Sequence, residues 1–233
     1  MKTIKTAIRN LFIPEKNVST LQMSLTFTLT ISLILSNIMV VKSVDLLGIP
    51  QFANTCALIT FPITYILSDV FSEVYGYRWS RITASWAFVG TALSSLFFAL
   101  MIAIPGNAAW DKQDQLVAIL GNTPQIAFAS VFAFWLGDFV NDKVFEFMKK
   151  KSKDGKLFGV RAIVSSLAGK YADQIVFTFI GLSFLPLQTK LYMILTAPIA
   201  HLVVETLLLP VTTFVMKKVR KAEMKETVIS AEA

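Results

Sequence analysis

Ser95-Leu96-Phe97-Phe98-Ala99-Leu100-Met101-Ile102 runs without any alternation of apolar and polar positions. A strand of a membrane barrel would alternate lipid-facing with lumen-facing residues, so this run is read as a helix that is apolar all round. It sits inside a longer apolar stretch, residues 82–104, which at 1.5 Å per residue is long enough to cross a hydrocarbon core about 30 Å thick. Five further stretches qualify: residues 21–41, 53–75, 124–148, 162–185 and 191–216. In lipid the backbone must satisfy its own hydrogen bonds, which a helix does within the segment. The expected fold is therefore an all-α integral membrane protein with six transmembrane helices. Its division into two sets of three is compatible with a 3+3 inverted repeat.

The composition agrees. Of 233 residues, 55% are hydrophobic and 16% charged, 19 are Phe, and the mean hydropathy is +0.62. Soluble domains carry roughly a quarter of their residues as Asp, Glu, Lys and Arg, so a water-soluble globule and a disordered chain are both excluded. The single cysteine, Cys56, leaves no internal disulfide and no cysteine cluster for zinc or iron–sulfur.

The net charge of +7 invites a nucleic-acid reading until the basic residues are placed. Lys2, Lys5, Arg9 and Lys16 precede the first span, and Arg78 and Arg81 lie between the second and third. Lys149, Lys150, Lys151, Lys153, Lys156 and Arg161 join the fourth to the fifth, and Lys217, Lys218, Arg220, Lys221 and Lys225 follow the sixth. The opposite connections hold only Lys42, Lys112 and Lys190. This is the positive-inside pattern: both termini are expected in the cytoplasm, with no nucleic acid as partner. Residues 1–20 interleave Lys2, Lys5 and Arg9 with Ile4, Ala7, Ile8, Leu11 and Phe12, as a short interfacial helix on the inner leaflet would. Residues 21–216 then form the transmembrane domain and residues 217–233 a basic cytoplasmic tail. No connection is long enough for a soluble domain, so function lies within the membrane.

Ionisable groups inside a span are costly and mark function by default. Asp69 and Glu73 stand at i, i+4 in the second span, with Tyr65 and Pro62 further along the same face. Glu73 is equally explained by pairing with Arg78 or Arg81 near the headgroups. In the fourth span Asp138, Asn141 and Asp142 share a face, and Trp135 precedes them by one turn. Asp142, Lys143 and Glu146 also suit an ordinary solvated helix end. The fifth span carries Lys170, Asp173 and Gln174, of which Lys170 and Asp173 are spaced to neutralise each other. The sixth carries His201 and Glu205 at i, i+4, a spacing that fits a proton relay or substrate contact better than a metal, since no second ligand cluster supports one. Asn37 in the first span is polar but uncharged. Pro62, Pro198 and Pro210 interrupt three spans, as happens where a cavity is lined and also where kinks merely serve packing.

Asp69, Asp138, Asp173 and Glu205 thus face at most Lys170 and His201. Protons, cations or a ligand with donor groups would resolve that imbalance, and a ligand with several N–H groups along one edge suits it best. Enzymatic readings find no support. Gly169-Lys170 fails as a phosphate-binding loop, with Val164 where the first glycine belongs and Tyr171 where Ser or Thr belongs. H-E-x-x-H, G-x-S-x-G and C-x-x-C do not occur. No cofactor is expected, and no enzyme.

The stretch from Phe61-Pro62 through Ser68-Asp69-Val70-Phe71-Ser72-Glu73-Val74-Tyr75-Gly76-Tyr77-Arg78 resembles the hallmark segment of the bacterial queuosine-precursor transporters, also grouped as vitamin-uptake (Vut) proteins. Supporting matches are Ser36-Asn37 with Val40-Val41-Lys42, Gly137-Asp138-Phe139-Val140-Asn141, and the series Arg161, Ser165, Gly169, Asp173, so the resemblance covers residues 30–215. One departure is Lys170, where the family pattern often has Gln. The resemblance implies import of 7-deazaguanines such as preQ0, preQ1 or queuine for queuosine salvage in tRNA. Such a ligand presents N1–H and an exocyclic amine side by side, suited to the two oxygens of a carboxylate, Glu205 or Asp138. Its O6 would take a donor from Lys170 or Gln174, and its ring would stack on Trp135, Tyr65 or Tyr171. A homodimer is among the assemblies the sequence allows. The alternative reading is a vitamin-binding membrane subunit that needs a separate ATPase partner.

Overall fold

In the computed structural model, which describes residues 18–151 and 158–232, the apolar stretches are helices. Helix α1 covers Thr20–Met39, α2 Phe61–Val70, α3 Tyr77–Ala103, α4 Gln113–Leu120, α5 Thr123–Lys151, α6 Phe158–Ile180 and α7 Leu187–Glu232. Four stretches are long and apolar enough to cross a membrane: Thr20–Met39, Tyr77–Ala103, Gln113–Lys150 and Leu187–Met224. Helix α6 is not among them, because Lys170, Asp173 and Gln174 lower its mean hydropathy. Large apolar side chains lie on the outside, including Phe97 at 65%, Phe128 at 66% and Leu207 at 72% exposed. In water that surface would aggregate; in lipid it is the solvent-matched face. The chain is an all-α, multi-pass membrane protein.

The second predicted span requires correction. Residues 53–75 do not make one helix. They begin as a strand, β2 (Ala53–Thr55), pass through a 3₁₀ turn (Cys56–Ile59), become α2, and end in a single π-helical turn (Phe71–Tyr75). Pro62 explains the late start: it lacks an N–H and its fixed φ suits the first helical turn, where no intrahelical donor is needed. Gly76 explains the end, with φ 88° and ψ 165°, a conformation essentially confined to glycine. Residues 1–17, and with them most of the predicted interfacial helix, lie outside the described residues. At the other end, residues 217–232 continue α7.

The chain divides into two compact units. One contains α1 as far as Asn37, residues 57–94, and α7 from Val204 onward. Its core is Leu29, Leu67 and Phe71, with Leu25, Leu33 and Tyr75 packed against them. Leu25, Leu29 and Leu33 recur every four residues on α1, and Leu67, Phe71 and Tyr75 do so on the facing segment, so two helical stripes meet. With lipid as apolar as leucine, this contact is held by dispersion and shape. Four hydroxyls of α1 are satisfied inside the helix: those of Ser24, Thr26, Thr28 and Thr30 each donate to the carbonyl four residues back, at 2.8–2.9 Å.

The other unit contains residues 38–56 and 95–203. It opens with a hairpin of β1 (Ser43–Asp45) and β2, antiparallel, with Ser43 opposite Thr55, Val44 opposite Asn54 and Asp45 opposite Ala53. Its α5 presents Ile126, Ala129 and Ala133, all buried, along the same stripe as Gly137. Its α6 presents Ser165 and Gly169 in the same way. Small residues at four-residue spacing let two helices approach until their backbones touch, the usual means of helix association in lipid.

Candidate functional site

The approach is closest at Gly137 and Gly169. A Cβ added to Gly137 would stand 2.9 Å from the carbonyl oxygen of Gly169 and 2.9 Å from the Cβ of Asp173. One added to Gly169 would stand 2.7 Å from the carbonyl oxygen of Gly137 and 2.9 Å from the Cβ of Asn141. The glycines therefore put Asn141 against α6 and Asp173 against α5. Each glycine is followed directly by an ionisable residue, Asp138 or Lys170, so one helix crossing collects Asp138, Asn141, Lys170 and Asp173, all half-buried. Lys170 is also within electrostatic range of both Asp173 and, on α7, His201. Tyr171 ties α6 to α7 by donating its hydroxyl to the Leu195 carbonyl at 3.1 Å.

Two of the predicted residues in this unit are placed differently from that group. Gln174 is buried, and its side-chain amide donates to Thr178 on its own helix at 2.8 Å. Trp135 is 65% exposed, in register with Phe128, Phe132 and Phe139 along an outer aromatic stripe of α5. Of the three aromatics expected to stack on a ring, Tyr65 and Tyr171 are the half-buried ones. Among the described residues no three His, Cys, Asp or Glu gather closely enough to hold a metal ion.

The unit built on α1 and α2 holds Asn37, Tyr65, Asp69 and Glu205, all half-buried, with Tyr65 and Asp69 one turn apart on α2. Their assignment rests on membrane depth and residue type. Sequence reasoning missed the polar knot at the end of this unit. Glu223, on the continuation of α7, accepts from the hydroxyl of Tyr75 at 2.7 Å and from that of Ser19, whose oxygen in turn accepts from the backbone N–H of Gln22 at 3.0 Å. Arg220 donates to the Glu73 carbonyl at 3.3 Å, while the Glu73 side chain is exposed. The Tyr75-Gly76 pair thus has a structural role, in which the glycine turns the chain and the tyrosine fastens it to α7. No signal in the sequence pointed to Glu223, which reads as one more charge in a basic tail. Tyr75→Phe is expected to cost about 1.5–3 kcal/mol, the range for a hydrogen bond to a charged group. The same change in a Glu223→Gln background should cost clearly less. Thermal melting of the single and double variants in detergent measures this coupling, and equal costs in both backgrounds would refute it.

The family comparison bears on this arrangement. The family described as "Putative vitamin uptake transporter" matches residues 55–215, which include α2, the π-helical turn and the α5–α6 crossing. The chain belongs to this family. A curated relative in Bacillus subtilis (strain 168), described as "Probable queuosine precursor transporter", is 24% identical over 177 residues, spanning 75% of this chain and 76% of the relative. No solved structure matches the chain. As a member of the vitamin uptake transporter family the protein is a membrane transporter, and the crossing at Gly137 and Gly169 lies wholly inside the family's matched region.

Proposed function

We propose that this protein is a carrier that imports a queuosine precursor, a 7-deazaguanine, across the bacterial inner membrane. In this proposal the chain crosses the membrane six times as an inverted repeat, with both termini cytoplasmic, and works by alternating access without a partner ATPase. The observation that carries the reading is the gathering of Asp138, Asn141, Lys170 and Asp173 at one glycine-closed crossing. These groups supply what a flat, nitrogen-rich ring needs: carboxylates for its adjacent N–H donors and a cationic or amide donor for its carbonyl. Tyr171, one residue from Lys170, is a half-buried aromatic placed for stacking. The relative's description points to the same ligand class.

The test is uptake of labelled 7-deazaguanine precursors by cells unable to make them, with queuosine in tRNA as the readout. Expression of this protein should restore the modification at low external precursor. Normal membrane expression without uptake would remove the proposal. Reconstitution in liposomes isolates the carrier claim, because a self-sufficient carrier fills the vesicles with no second protein.

A further inference from the structure

Non-helical backbone inside a membrane-spanning region is tolerated where protein buries it or where it lines a polar cavity. The hairpin strand β2 is buried by protein in this way. Ala53, Asn54 and Thr55 are 2%, 3% and 6% exposed, at the head of the stretch that hydropathy alone assigns to a continuous span. Asn54 is the one residue of the three with a side-chain amide. Its Oδ1 accepts from the backbone N–H of Thr55 at 2.8 Å. That bond fixes which end of the amide is oxygen, so the remaining end is NH₂, a pure donor. Among the described residues this buried Nδ2 has no hydrogen-bond partner. Buried donors are paired in the large majority of cases, and a spare one calls for an acceptor from elsewhere.

The surroundings place Asn54 in the unit that holds the α5–α6 crossing. The Thr196 hydroxyl of α7 lies 3.5 Å from the Ala53 carbonyl oxygen, and the preceding residue, Leu195, is the one bonded by Tyr171 of α6. Met193, Ala197 and Pro198 on that part of α7 are fully buried and have no strong side-chain acceptor to offer. We infer that Asn54 is a ligand-contacting residue, whose side-chain N–H donates to a carbonyl oxygen of the transported heterocycle. This deepens the proposed function and rests on it. It also redistributes the polar roles. Gln174, expected to serve as a neutral donor, already gives its amide to Thr178, whereas Asn54 has a neutral donor to spare.

The experiment uses the full chain in detergent and two probes, 7-deazaguanine and 6-thio-7-deazaguanine, which share the N1–H and the 2-amino group and differ only in the 6-oxygen, replaced by a weakly accepting sulfur. Two variants are compared with wild type. Asn54→Asp keeps the acceptor for Thr55 and replaces the donor; Asn54→Leu removes both and keeps the volume. Wild type should prefer 7-deazaguanine by about tenfold, the value of one good hydrogen bond. Each variant should lose that preference by weakening 7-deazaguanine alone. Melting without ligand guards against misfolding: Asn54→Leu removes an unpaired buried donor but also strands the Thr55 N–H, so it should melt somewhat below wild type yet cooperatively, while its 7-deazaguanine-induced shift disappears. If both variants bind 7-deazaguanine as wild type does, or lose both probes equally, the inference is overturned while the proposed function stands. If wild type binds neither probe, the proposed function fails and Asn54 loses its role with it.

Discussion

Gly169→Val is expected to abolish uptake and to lower stability by about 1–3 kcal/mol, the usual cost of overpacking. The reason is the identity of the atoms in the way. Even the first carbon of a side chain at this position would lie 2.7 Å from the Gly137 carbonyl oxygen, which is backbone and cannot turn aside, and 2.9 Å from the Cβ of Asn141. The helices must separate, and the Asp138, Asn141, Lys170 and Asp173 cluster opens with them. A site built for hydrogen bonds does not survive displacement by an ångström, so activity should fall further than stability does. Gly90→Ala is the control. Its new Cβ would meet the Cγ2 methyl of Thr30 at 2.7 Å, a side-chain atom rather than backbone, and it lies in the other unit. It should transport near the wild-type rate at a small cost in stability. Melting temperature and uptake measured together decide the matter. Normal uptake by Gly169→Val would mean that the crossing is packing and nothing more.

Much of this crossing was legible in the sequence. Ser165, Gly169 and Asp173 recur every four residues, and Gly137 precedes Asp138, so a close helical contact beside ionisable groups could be read from spacing alone. The broken second span could not. Hydropathy sums composition without regard to backbone geometry, and Ala53-Asn54-Thr55-Cys56-Ala57-Leu58-Ile59 is apolar enough to pass as helix. The signals that it is not are Gly48 and Pro50 just upstream and Pro62 downstream, which together bound a stretch too broken to be one helix. Leu47 at φ 57° and Gly48 at φ 72° now mark the turn of the hairpin. The reach of α7 was also hidden, for a different reason. Lys217, Lys218, Arg220, Lys221 and Glu223 tell where lipid ends, but all are good helix formers and none stops a helix. The position of Trp135 could have been foreseen, since Phe128, Phe132, Trp135 and Phe139 fall on one helical stripe, and a stripe of aromatics on a membrane helix most simply faces lipid.

Asp173→Asn carries the second large effect, and it separates two explanations of the same pair of neighbouring opposite charges. Lys170 interacts with Asp173 and His201, and both Lys170 and Asp173 are half-buried in α6. If the carboxylate serves only to neutralise the lysine, removing it leaves a cation in a poorly solvated place, at a cost of about 3 kcal/mol. Removing the lysine as well should then repair everything. If the carboxylate also reads the ligand, Lys170→Gln with Asp173→Asn should recover the fold and not the transport, because the paired amides carry no charge but offer no anion to the ring's N–H edge. The expected result is the second: Asp173→Asn melts well below wild type, the double variant melts close to it, and uptake stays more than tenfold reduced in both. The companion single variant, Lys170→Gln, leaves the carboxylate in place and should retain uptake, with any change appearing in the preference between precursors. Full transport by the double variant would assign the pair to insertion and folding alone, and the ligand-reading role would pass to Asp138 across the crossing.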